Sequence, residues 1–190
     1  MMLFSKPDIH SHDVSRADTA IINISPGDAM LPGVLYSCGI HPWNTDKVDD
    51  HVNADLEQIC MNPQVVAIGE TGLDALRGAG LDVQMSVLRK HIELSESLSK
   101  PLILHIVKTF PAIISLRKTL RPAMPWIIHG FRGKPQLTGE LLRHGFYLSL
   151  GEKFNQASAK IIPQDKLLYE SDTSPLPIPE IISRIERVRD

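Results

Sequence analysis

The 190-residue chain has few aromatic residues (5%), two cysteines and almost no net charge, −2 at pH 7. Each shortage excludes something. Cys38 and Cys60 cannot build a disulfide framework, and neither lies in a Cys-x-x-Cys pair. They read as reduced, buried thiols, as expected of a cytoplasmic protein. No apolar run approaches the roughly 20 residues that span a bilayer, so a membrane partner is not expected. The opening MMLFSKPDIHSH turns polar too early for a secretory leader. The small charge excludes nucleic-acid binding by bulk positive charge and leaves room for a local basic patch. There is no repeat, low-complexity tract or linker, and no feature that calls for an obligate protein partner. Residues 1–190 read as one domain.

Against these shortages stand eight histidines and a regular beat of short apolar runs. The runs are Asp8–His10, Ala20–Ser25, Val34–Ile40, Val65–Ile68, Leu102–His105, Trp126–His129, Phe146–Leu150 and Leu167–Glu170. Several are apolar throughout, the pattern of strands covered on both faces of a parallel sheet. Helical spacing fills the gaps between the later runs. Leu56, Ile59 and Cys60 follow it, as do Val87, His91, Leu94 and Leu98, and Ile113, Leu116 and Leu120. Pro135 suits a first helical turn that continues through Leu137 and Leu141, with Gly145 as its stop. Ile178, Ile181, Ile182, Ile185 and Val188 form a last amphipathic stripe.

Alternating strands and helices predict an α/β fold, and eight strands predict a (β/α)8 barrel. Such barrels usually take about 250 residues, so this one is trimmed by about 60. The deficit is expected in helices reduced or missing after the first two strands and in a short C-terminal tail.

In this fold, functional residues stand at the C-terminal ends of strands. His10 and His12 follow the first run, His41 the third, Glu70 the fourth, His105 the fifth, His129 the sixth and Asp172 the eighth. His10 and His12 are two apart, so an extended strand turns both to one face. Four imidazoles and two carboxylates (His10, His12, Glu70, His105, His129, Asp172) exceed what one tetrahedral ion needs. They suit two divalent ions sharing a carboxylate, with a water between the ions acidified into a nucleophile. His51 and His144 read as solvated or packing residues, and His91 as a histidine packed between helix and barrel.

The phrases DIHSH, GIHPW, AIGETGLD, LILH, IIHGF and LLYESDTSP occur in this order from Asp8 to Pro175. In that ordered set the chain resembles the TatD-like metal-dependent hydrolases, an amidohydrolase-like barrel family. The resemblance implies metal ligation by His10, His12, Glu70, His105, His129 and Asp172. Glu70 would bridge the ions, His10, His12 and Asp172 would complete one site, and His105 and His129 the other. It implies magnesium-dependent deoxyribonuclease activity. The residues themselves then suit attack by a metal-bridging hydroxide, with Glu70 and Asp172 catalytic and Asp172 as general base. DNA is then the expected substrate. By ligand preference alone, imidazole-rich ligation suits Zn, Mn, Fe or Ni. The sequence departs from the family in its compressed early segment, its short tail, Ala75 after GLD, and Ile106-Val107-Lys108 after His105.

Lys108, Arg132, Lys134 and Lys153 follow predicted strands and supply local positive charge for phosphates. Lys108 and Arg132, each three residues past a ligand histidine, are the better candidates for substrate binding, together with His41. Trp43 is a candidate for stacking a base or packing its loop. Two other functions fit the same residues. One is hydrolysis of a small ester, amide or phosphoester. The other is a catalytically weak metal-binding or interaction protein.

Overall fold

The structure, a computed structural model, describes residues 4–190. Met1–Leu3, the start of the stretch read against a leader, lie outside the described residues. Eight strands follow chain order in a closed parallel barrel. They are β1 (Asp8–Ser11), β2 (Ala20–Ile24), β3 (Tyr36–Cys38), β4 (Val65–Asp74), β5 (Leu102–Val107), β6 (Trp126–Ile128), β7 (Tyr147–Leu150) and β8 (Leu167–Tyr169). The helices are α1 (Asp50–Cys60), α2 (Leu81–Leu98), α3 (Phe110–Leu120), α4 (Pro135–Arg143), α5 (Gln156–Ala159) and α6 (Ile178–Arg189). The expected (β/α)8 architecture is present, and the helices expected to be reduced or missing after the first two strands are so. Only a 3-10 turn, Val14–Arg16, joins β1 to β2, and no helix separates β2 from β3. Among the described residues, no helix is long and apolar enough to cross a membrane.

The chain divides into two compact units, Met1–Ile22 with Ile127–Asp190, and Asn23–Trp126. In the first, β1 pairs with β2 and with β8, while β7 pairs with β8 and with Ile127 and Ile128 of β6. Leu148 and Leu150 are fully buried. The α6 stripe buries Ile178, Ile181 and Ile185, and the helix packs on β8 and α5. Each apolar side chain so buried contributes about 1.5–3 kcal/mol.

In the second unit, β4 pairs with β3 and β5, and α2 lays Val87, Leu88, His91 and Ile92 against it. Helix α1 begins at Asp49, whose carboxylate accepts from the Val52 N–H, the ordinary N-cap bond. Cys38 and Cys60 are buried free thiols, as expected.

Three elements differ from the sequence expectation. Strand β4 runs on from Ile68 to Asp74, because Gly69 and Gly72 let its backbone approach β5 closely across a register shift between Ile68 and Thr71. A Cβ at Gly72, which has φ +152°, would overlap the His105 carbonyl, and one at Gly69 would overlap that of Ile103. Strand β3 is shorter than Val34–Ile40, since the Ile40 N–H is taken by a side chain, His91 Nε2. Helix α5 was not foreseen; four residues carry no periodicity to read.

Candidate metal centre

In the first unit, a buried aspartate knits the ends of β1 and β8 together. Asp8 is fully buried, and its Oδ1 accepts from the His10 N–H (3.3 Å) and the Ser171 N–H (3.0 Å). Burial pushes the Asp8 carboxyl above its usual range. The pairing then continues past the strands. Asp172 N–H donates to the His10 carbonyl (2.9 Å), and His12 N–H to the Asp172 carbonyl (3.2 Å). Asp172 sits at φ +50°, the left-handed region that aspartate tolerates. Its backbone is thereby tied to His10 and His12, and its Oδ1 lies 3.6 Å from His12 Nε2, just past the end of β1. The His10 ring centroid lies 5.0 Å from that of His12 and 4.5 Å from that of His129. The His-x-His pair does share a face, and the unit gathers His10, His12, His129 and Asp172.

Behind His129 stands Glu170, whose Oε1 lies 3.3 Å from His129 Nδ1 and accepts from the Gly130 N–H at 2.7 Å. Burial pushes the Glu170 carboxyl up, but His129 and His10 outweigh it and hold the group below its usual value. Beside Asp172 opens a cleft of about 160 Å³ lined by Gly130, Arg132, Lys153, Glu170 and Ser174. Arg132, Lys153 and Asp172 line the same cleft. Lys134 is not among the cleft residues and instead caps α4.

In the second unit, Glu70 collects imidazoles. Its Oε1 lies 2.8 Å from His105 Nδ1 and 3.1 Å from His41 Nε2, and the residue is 4% exposed. One ligand-type atom each from His41, Glu70 and His105 lies within 4.8 Å of the other two. Imidazole and carboxylate at this spacing are a donor set suited to a divalent ion.

The hydrogen bonds assign different tasks to the two histidines. His41 Nδ1 accepts from the Trp43 N–H (3.1 Å), so its proton is on Nε2. A neutral imidazole in that state donates through Nε2 and offers no lone pair there. His41 is thus built as a hydrogen-bond donor, and it also fixes the His-Pro turn. His105 is flanked on both sides, with Nε2 3.4 Å from Asp74 Oδ2. The shorter contact is the one to Glu70, whose carboxylate accepts from His105 Nδ1–H at 2.8 Å.

Asp74 is 3% exposed and also accepts from the Trp43 Nε1–H (2.7 Å) and the Leu76 N–H (2.8 Å). Burial pushes its carboxyl up, and the bonds from Trp43, Leu76 and His105 more than reverse this, leaving it below its usual value. Gln84 clamps the same loop, accepting from Asp74 N–H and donating to the carbonyls of Asp74, Arg77 and Ala79. Trp43 is 43% exposed with its edge pinned to Asp74, so it both packs the loop and shows a face to solvent. Lys108 is exposed at φ +55° just past β5.

Sequence reasoning missed the roles of Asp74 and Glu170. Their only signal was an acidic residue at a strand end beside stronger candidates. His51 is solvated as expected. His91 is fully buried, with Nδ1 on the Val87 carbonyl and Nε2 on the Ile40 N–H, also as expected.

Comparisons with known proteins agree with this fold. The family described as TatD related DNase matches residues 23–182. That span includes Glu70, His105, His129 and Asp172 and leaves out His10 and His12. A Buchnera aphidicola protein named as an uncharacterized metal-dependent hydrolase is 33% identical over 76% of the chain, and YcfH of Escherichia coli, similarly named, is 32% identical over 77%. Both matches take in 58% of the relative, so the chain spans about three fifths of these proteins. A Cronobacter turicensis relative, 29% identical over 74% of the chain and 57% of its own length, is named a 3'-5' ssDNA/RNA exonuclease. Among solved structures, the TatD homologue YJJV of Escherichia coli superposes with a TM-score of 0.78 at 21% identity, covering 99% of this chain and 90% of that one. With strand order and sequence match in agreement, the chain belongs to the TatD-related DNase family.

Proposed function

We propose that residues 1–190 form a single metal-dependent hydrolase domain that cleaves phosphodiester bonds in DNA with two divalent ions. The observation that carries this is the convergence of imidazole and carboxylate within each unit of a TatD-family chain: His10, His12, His129 and Asp172 in one, Glu70 and His105 in the other. By family resemblance His10, His12, His129 and Asp172 of the one unit and Glu70 and His105 of the other would hold the ions. The ions, magnesium for activity by family resemblance, would supply Lewis acidity and acidify water.

The chain's own residues do the rest. Asp172, the more open carboxylate beside His12, takes the proton of the attacking water. His41, fixed as an Nε2–H donor, hydrogen-bonds a phosphate oxygen. Arg132, in the cleft beside Asp172, and Lys108, past β5, bind phosphate oxygens.

End-labelled single- and double-stranded DNA, incubated with Mg²⁺ or Mn²⁺ and then with chelator, tests this. Cleavage should require the ion and fall by about a hundredfold or more in Glu70→Ala with His129→Ala. Cleavage that persists in the double variant would sink the assignment. Turnover of a small ester or amide without DNA cleavage would instead place the substrate elsewhere.

A further inference from the structure

Glu170 has no place in the mechanism above, yet a fully buried carboxylate demands a reason. Removing such a group from water costs several kcal/mol unless its oxygens are satisfied. Its backbone is anchored, since Glu170 N–H donates to the Leu150 carbonyl on β7 (3.1 Å). Its side chain then reaches the loop after β6, where Oε1 meets the Gly130 N–H at 2.7 Å and His129 Nδ1 at 3.3 Å. An ionised carboxylate only accepts, so the shared proton belongs to His129 Nδ1. The Nε2 lone pair is left facing away from Glu170.

We infer that Glu170 is a positioning residue for the metal centre: it fixes His129 as the Nδ1–H tautomer, aims Nε2 at the ion and raises its basicity. The inference rests on the metal centre proposed above. It explains why the acid at this strand end is buried while Asp172, two residues on, is partly open, the side chains being 0% and 30% exposed. The first backs a ligand; the second is a ligand and proton acceptor. A bystander role is the competing account, in which Glu170 merely ties the Gly130 loop to β8.

Substitution separates the two accounts. Glu170→Gln keeps an acceptor for Gly130 and His129 but loses the charge, whereas Glu170→Leu loses both. Calorimetric titration of the metal-free protein with Co²⁺, read alongside the Co²⁺ absorption spectrum, gives affinity and ligand field without any substrate. Glu170→Gln should bind roughly tenfold more weakly at a nearly unchanged metal-free melting temperature, and Glu170→Leu up to about a hundredfold more weakly. In a His129→Ala background, Glu170→Gln should have no further effect. Unchanged affinity in Glu170→Gln, or an equal effect without His129, would overturn the inference while leaving the metal centre intact. Failure of the wild-type protein to bind Co²⁺, Mn²⁺ or Zn²⁺ would overturn both. A measurement on the wild type alone keeps the test open if a variant does not fold. Imidazole ¹⁵N shifts of the metal-free protein should report His129 as the Nδ1–H tautomer, and the opposite tautomer would refute the inference.

Discussion

The eight histidines show how one side chain acquires different chemistry from its neighbours. His91 accepts from one backbone N–H and donates to one carbonyl in a fully buried setting, and burial lowers its pKa from 6.5 to about 4. Above pH 6.5 it is neutral in both the folded and the unfolded chain and makes no pH-dependent contribution. As pH falls below 6.5 the unfolded chain takes a proton that the folded chain refuses until about 4. Stability from this group should therefore drop by about 1.4 kcal/mol per pH unit through that window. Urea unfolding followed from pH 7 to pH 4 checks this, and His91→Gln should flatten the slope. Arg132 presents the opposite case, an exposed cation beside a cleft. Arg132→Ala should raise the KM for DNA about tenfold with little change in kcat, and reduce the slope of log K against log salt by about one.

At the scale of elements, the strand ends do the positioning. Strands β4 and β5 carry Glu70 and His105 together because glycines let the two backbones approach closely. Gly72→Ala should destabilise the protein by about 2–4 kcal/mol, seen as a lower urea midpoint, because its Cβ has nowhere to go and its φ is unsuited to alanine. A variant as stable as wild type would mean that β4 and β5 can separate without loss. The apolar runs made most strands legible, since a covered parallel strand must be apolar on both faces. The end of β4 was not legible, because Gly-Glu-Thr-Gly reads as a turn until a partner strand is known to lie beside it. Likewise, nothing local to Ile40 says that a histidine 51 residues away takes its N–H.

Over the whole molecule, metal binding and stability are linked. An ion that binds only the folded chain, at a hundredfold its Kd, adds about 2.7 kcal/mol. For a chain of this size that corresponds to a rise of roughly 5–10 °C in melting temperature, lost on adding chelator. A melting temperature indifferent to Mg²⁺, Mn²⁺ and chelator would argue against the centre. The family match and the barrel topology concern this same scale. The barrel agrees with an order of strands and helices that the sequence already displayed, including the missing helices after β1 and β2. The sequence by itself determined that order and the placing of histidines and carboxylates at strand ends, because periodicity and turn residues are local properties. It could not assign the ring nitrogens. Which partner each ring nitrogen meets was decided by Glu170 beside His129, by Glu70 and Asp74 on either side of His105, and by the Trp43 amide beside His41. Glu170 and Asp74 meet their histidines from separate strands, and such contacts exist only once the chain has folded.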